Sequence, residues 1–315
     1  MSDVIKHNHS VDIVKGWEII AVMLGHIFLG SAEENIPRYL IYAFHMPLFF
    51  FVSGYLLNIE KLGTLSLSQY IRKYAKRMLG WWFVAWVVYT VSVNLMYSGR
   101  VIADYESTLH FIIRNIIYPW GHLWFVPGLF VTITFAYCIN RFLRLNKDKM
   151  IALLLFISLV QMILSYSGVL PNTSVIRYHN LLFFSLGIIC KRLIISEIWG
   201  GVVPLYFLVL LMTKYFVVDD DNLSMCNFAA LLGFIIFGIA PLIQNDSLKS
   251  FAMMEWLGCN SLQIYLWHEL PAIGLKCYFE DNLIIYYSVN FAWFTILLFV
   301  AYRCSLSKHS LYDSW

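Results

Sequence analysis

Residues Asp12 to Gly30 read DIVKGWEIIAVMLGHIFLG, a run apolar enough to enter a bilayer that nevertheless carries Asp12, Lys15, Glu18 and His26. Keeping ionisable groups at membrane depth is costly, so each is a functional candidate. On a helix Lys15 and His26 share one face, offset by about 20° and separated by roughly 16 Å along the axis. Asp12 and Glu18 flank Lys15 at i−3 and i+3, so either carboxylate can pair with the ammonium near the helix start. The stretch predicts a membrane helix with one ionisable stripe, and it sets the reading of everything around it.

The surrounding chain has the same character. Of its 315 residues 60% are hydrophobic and 13% charged, with 11 Trp, 24 Phe and 20 Tyr; soluble domains carry about twice that charged fraction. The first apolar run is not followed by a small-residue cleavage site, so it reads as a retained span and not a signal peptide. A net charge of +3 in such a chain is no sign of nucleic-acid binding; the placement of the basic residues matters instead. Cys138, Cys190, Cys226, Cys259, Cys277 and Cys304 are scattered through apolar runs without C-x-x-C spacing or nearby His. They read as small hydrophobes, with no metal site and no disulfide framework expected.

At about 20 apolar residues per span, ten spans are predicted, near 13–30, 37–57, 78–98, 118–140, 150–168, 177–195, 201–218, 225–243, 257–278 and 284–303. With both termini cytoplasmic, fifteen basic residues fall on the cytoplasmic side, among them Lys6, Lys61, Arg72 to Arg77, Arg141, Arg144, Lys147 and Lys149. Six fall outside: Arg38, Arg100, Arg114, Arg177, Lys214 and Lys276. The positive-inside rule selects this orientation. The outer loops collect acid instead, as in Glu33, Glu34, Asp104, Glu106 and Asp219 to Asp221. The expected fold is therefore an all-α, polytopic bundle of about ten transmembrane helices, one domain over 1–315 with no appended soluble domain. The loops near 58–77 and 99–117 are long enough to be functional or partly helical.

This topology gives each intramembrane histidine a depth. His26, His45, His122, His179 and His268 all fall in the outer half of the membrane. Pro47, Pro119, Pro127 and Pro271 interrupt the helices nearby, with Gly54, Gly121 and Gly128 adding backbone freedom. Broken helices at this depth need protein or water to satisfy the backbone, so a hydrated pocket open to the outer face is inferred. A lone intramembrane histidine is more often an interhelical hydrogen-bonder than a catalyst, which is the plain reading of His122 and His179. His26 is singled out because it shares a face with Lys15, and because neutral imidazole is the usual general base near neutral pH.

A second constellation lies at the opposite side. IRKYAKRML, residues 71–79, places Arg72, Lys73, Lys76 and Arg77 at the cytoplasmic entrance of the third span. Such a cluster anchors the chain to anionic lipid at about 1 kcal/mol per residue, or grips phosphate through charge-assisted hydrogen bonds. By itself it favours the anchor.

Taken together, DIVKGWEIIAVMLGH, FHMPLFFFVSGYLL, IRKYAKRML, HLWFVPGLF and LGCNSLQIYLWHELP resemble the acyltransferase 3 family of integral membrane O-acyltransferases, nearest its fucose 4-O-acetylase-like branch. The family's basic-x10-His pattern falls on Lys15 and His26; its Arg-x-x-Arg pattern is matched by type only, as Lys73-x-x-Lys76 with Arg77 adjacent. The resemblance implies a multi-pass enzyme of the bacterial cytoplasmic (inner) membrane. It would move an acetyl group from cytosolic acetyl-CoA, a donor substrate and not a resident cofactor, to a hydroxyl of a lipid-linked or nascent surface polysaccharide such as O-antigen or exopolysaccharide. It further implies His26, supported by Lys15 and Asp12, as the catalytic group, either as general base or as acyl-carrying nucleophile. Arg72, Lys73, Lys76 and Arg77 would hold the donor phosphates, and His45, Trp124, His268 and Glu269 would line the acceptor pocket. Trp120 is assigned to an interfacial aromatic belt. The expected partners are acetyl-CoA, the glycan and membrane lipid, with no nucleic acid and no metal. The competing reading, a transporter or flippase, also suits broken helices and buried charge, but no paired half-chain repeat is visible.

Overall fold

The computed structural model describes residues 8–31, 34–96, 107–169, 179–196, 198–216, 220–273 and 282–312. Lys6, Glu33, Arg100, Asp104, Glu106, Arg177, Asp219, Lys276 and Cys277 lie outside them. Every regular element among the described residues is helical. The helices are α1 (His9–Ile27), α2 (Ile36–Tyr42), α3 (His45–Leu56), α4 (Ile59–Thr64), α5 (Leu67–Met96), α6 (Thr108–Ile117), α7 (Phe125–Leu143) and α8 (Lys147–Tyr166). There follow α9 (Asn180–Cys190), α10 (Trp199–Phe216), α11 (Asp220–Gly233), α12 (Ala240–Gln244), α13 (Ala252–Cys259), α14 (Ser261–Trp267) and α15 (Leu283–Tyr312).

Short polar side chains set the helix starts. Asn8, Asn35, Asn58 and Asn146 each accept a backbone N–H from the first turn of α1, α2, α4 and α8, satisfying donors that the helix cannot. Ser66 and Gln69 form a reciprocal capping box at the start of α5.

Among the described residues six helical stretches are long and apolar enough to cross a membrane: Ile36–Leu56, Leu67–Met96, Gly121–Leu143, Lys147–Ser165, Met225–Gln244 and Leu283–Cys304. They fall on the predicted spans 2, 3, 4, 5, 8 and 10. Span 1 is α1, 19 residues long but carrying Asp12, Lys15 and Glu18. Span 6 corresponds to the 11-residue α9 and span 7 to α10. Span 9 is divided between α13 and α14, and residues 274–281 lie outside the described chain. The third span begins at Leu67 and not near 78, because the basic segment is itself helical. Thirty residues give about 45 Å of helix against roughly 30 Å of hydrocarbon, leaving a turn or more to project beyond it.

The chain forms two compact units, residues 1–56 with 186–261 and residues 57–185 with 262–315. In the first, α1 lies hard against α13. A Cβ on Gly16 would stand 2.2 Å from the Met254 carbonyl oxygen, and one on Gly258 would stand 1.9 Å from that of Asp12. Only glycine allows backbones this close, the small-residue packing common between membrane helices. The end of α1 is tied further by Asn8 Nδ2 donating to Ile243 O (2.6 Å), Ser10 N–H to Asp246 (2.8 Å) and Leu248 N–H to Ser10 Oγ (2.9 Å).

In the second unit, the basic end of α5 is fastened to α7. Tyr70 stacks on Tyr137 at 4.2 Å and shares a 2.6 Å hydrogen bond with Thr134, while Tyr137 donates to Leu65 O at 3.1 Å. Indole N–H groups link α5 to the segment before α7. Trp82 donates to Leu123 O (2.9 Å) and Trp86 to Asn115 O (3.2 Å). Trp120, assigned to a membrane-interface belt, donates to Thr90 Oγ1 at 2.9 Å, so its polar atom is turned to α5.

Candidate functional site

The first cluster belongs to the first unit. Lys15 Nζ donates to Asp12 Oδ1 at 3.1 Å, so of the two flanking carboxylates Asp12 takes the ammonium. Glu18 is 1% exposed, and both its carboxyl oxygens are buried without a hydrogen-bond partner among the described residues. His26 lies in the last turn of α1 and is partly exposed. Its ring is 5.9 Å from that of Tyr42, which stands 5.1 Å from the ring of His45. His45 is buried, its Nδ1 2.7 Å from Ile41 O. A ring nitrogen next to a carbonyl oxygen must carry the proton, so Nδ1 is the donor.

Arg38 completes this cluster. Its guanidinium lies 5.0 Å over the Tyr42 ring, donates to Tyr42 Oη at 3.1 Å, and donates to the carbonyls of Phe28 (3.1 Å) and Gly30. It therefore caps the C-terminal end of α1, where the helix dipole and unpaired carbonyls favour a cation, one turn from His26.

The second cluster belongs to the second unit. His122 Nδ1 meets Glu269 Oε2 at 2.5 Å, and the His122 backbone N–H reaches the same oxygen at 3.3 Å. The turn that permits this has Gly121 at φ +42, and a Cβ there would lie 2.6 Å from Oε2. His268 packs 4.6 Å from the His122 ring, with its Nδ1 2.7 Å from Tyr265 O. Tyr265 donates its hydroxyl to His122 O, and Tyr89 presents its ring edge-on to His122 at 5.3 Å. With Glu269 ionised, His122 Nδ1 carries the proton and the ring is held in one tautomer. The whole group is buried: His268 is 0% exposed and His122 1%. Trp124 is buried too, edge-on to Phe125.

The third group is the basic segment. Arg72, Lys73, Lys76 and Arg77 are all exposed. A π-helical turn at Ile71–Ala75 begins the run, a distortion frequent at functional sites. Lys73 Nζ lies 5.4 Å over the Tyr74 ring. None of the four has an acidic partner among the described residues, so the positive charge is uncompensated.

Against known proteins, a family model described as an acyltransferase domain matches residues 8–307. The chain belongs to the acyltransferase 3 family. Among the described residues, six helices long and apolar enough to cross a membrane fit a multi-pass membrane protein of that family. It is 28% identical over 147 residues to nodulation protein NolL of Mesorhizobium japonicum. That match takes in 44% of this chain and 37% of NolL, so the chain spans little more than a third of this relative's length. No solved structure matches.

Within this acyltransferase, the structure joins His26 to Tyr42 and His45, and joins Glu269 to His122 and His268. Sequence reasoning paired Glu269 only with its neighbour His268, and it counted Arg38 merely as an outer basic residue. Its position three residues after the capping Asn35 was the available signal. Nothing in the sequence alone tied His122 to Glu269.

Proposed function

We propose that this acyltransferase moves an acetyl group from acetyl-CoA to a hydroxyl of a lipid-linked or nascent surface glycan, in the cytoplasmic membrane of a bacterium, with His26 as general base. The supporting observation is that the family match runs through Lys15 and His26 on one helix, and that His26 remains partly exposed while His45, His122 and His268 are buried. A base must touch its substrate. An imidazole nitrogen of His26 accepts the proton of the acceptor hydroxyl as its oxygen attacks the thioester carbonyl. The C–S bond then breaks, and the imidazolium returns the proton to the CoA thiolate.

Tyr42 and Arg38 hold the wall beside His26 and the end of its helix, and His45 supports Tyr42 from behind. Asp12 neutralises Lys15. The His122–Glu269–His268 group is a positioning core whose fixed tautomer and buried carboxylate order the turn before α7; its place near the acceptor, with that of Trp124, is part of the proposal. Arg72, Lys73, Lys76 and Arg77 take the donor phosphates.

The test uses purified protein in lipid nanodiscs, acetyl-labelled acetyl-CoA and isolated lipid-linked glycan. Label appearing in the glycan as a base-labile ester supports the reading. Folded protein that binds donor and leaves every supplied glycan unlabelled counts against it.

A further inference from the structure

The ends of α4, α7 and α8 enclose a cleft of about 410 Å³ that the donor and acceptor assignments leave unused. Its floor is built closely: a Cβ on Gly63 would stand 2.6 Å from Asn140 Nδ2, and that amide donates to Ile59 O at 2.6 Å. Its rim carries Arg141, Arg144, Lys147 and Glu60. Glu60 Oε1 holds Lys147 Nζ at 2.5 Å. Arg141 and Arg144 are exposed and have no ion pair or side-chain hydrogen bond among the described residues, so the cleft holds two uncompensated guanidinium groups. Arg144 closes α7 with a left-handed backbone, φ +49, where glycine is the usual residue; a side chain is retained there despite the strain.

We infer that this cleft binds a phosphate monoester, with Arg141 and Arg144 as the direct ligands and Glu60 restraining Lys147. Guanidinium forks match the oxygens of a dianionic phosphate in charge and in geometry, and the volume admits more than a bare ion. The cleft lies at the C-terminal end of α7, while Tyr70, just before the Arg72–Arg77 segment, packs on Phe130, Thr134 and Tyr137 nearer the middle of the same helix. Two separate basic surfaces, one at the end of α7 and one on α5 alongside it, suit a ligand that carries both a diphosphate and a distant monophosphate. This part rests on the acetyl-CoA reading: the 3′-phosphate of the donor would enter the cleft. A phosphatidate headgroup offers the same chemistry.

The test measures binding to nanodiscs of neutral lipid by calorimetry, using CoA and dephospho-CoA as paired probes, and separately measures retention of added phosphatidate by native mass spectrometry. In the wild type CoA is expected to bind on the order of tenfold more tightly than dephospho-CoA, the ratio of one good charge-assisted hydrogen bond. Arg141→Gln with Arg144→Gln removes that difference and leaves dephospho-CoA affinity unchanged. Glu60→Gln widens it by freeing Lys147. If the double variant instead loses phosphatidate while the CoA ratio is unaltered, the site stands and its ligand is lipid. A folded double variant that changes neither overturns the site. Because binding is measured without transfer, these results are independent of whether the glycan is acetylated.

Discussion

His122 and Glu269, 147 residues apart in sequence, meet at 2.5 Å in a buried group that also receives His268 and Tyr265. Removing one partner of a buried, hydrogen-bonded pair costs roughly 3–5 kcal/mol, because the other is left desolvated. Glu269→Ala is therefore expected to unfold at a lower temperature in detergent. Glu269→Gln keeps the shape and loses only the charge, about 1.5–3 kcal/mol. A stability of Glu269→Ala equal to wild type would show that the pair is not structural.

Gly121→Ala strikes the same group from the backbone side. Its φ of +42 and the 2.6 Å approach of its missing Cβ to Glu269 Oε2 leave no room for a methyl. The variant is expected to lose stability comparably to Glu269→Gln, read as Tm, and the two together should cost less than the sum of each alone.

Helix α1 owes its position to Gly16 and Gly258. A Cβ on Gly258 would lie 1.9 Å from a backbone oxygen, which cannot rotate away, so Gly258→Ala is expected to destabilise by about 1–3 kcal/mol and to move His26 with its helix. Gly200, whose Cβ would meet nothing within 4 Å, is the control: Gly200→Ala should leave Tm unchanged or slightly raised.

The end of α1 also carries a pH-dependent tie. His9 Nδ1 lies 2.8 Å from Glu255. The hydrogen bond to Glu255 raises the His9 pKa above its ordinary 6.5; the Ser250 hydroxyl, then His9, lower that of Glu255 below 4.5. The imidazolium contribution is complete below pH 6.5 and is lost as pH rises through the raised value. The carboxylate contribution is complete above pH 4.5 and is lost as pH falls through the lowered one. The Tm difference between wild type and His9→Gln is expected to be largest between these values and to fade as pH rises above the raised His9 value. A difference that grows with alkalinity would contradict the tie.

What the sequence made legible followed local rules. The apolar runs located the six long helices found among the described residues. The Asp12–Lys15 pair was one of two local options, and only packing shows why Glu18, three residues on, points into a buried wall instead. The bond from Trp120 to Thr90, 30 residues away, was not legible beside its reading as an interface residue. The His122–Glu269 pair, the Gly258 contact with Asp12 and the Arg38 cap are all non-local, created by tertiary packing that no single stretch encodes. The loop near 58–77, read as functional or partly helical, is helical from Leu67, so the helix starts before the apolar run that marks its span.

The most direct measurement of the central claim is acetyl transfer by His26→Ala, in nanodiscs, beside its binding of CoA. Loss of the base is expected to lower kcat by on the order of 10²- to 10⁴-fold, with CoA affinity and Tm within twofold and a few degrees of wild type. Transfer at the wild-type rate by the folded His26→Ala protein would contradict the account.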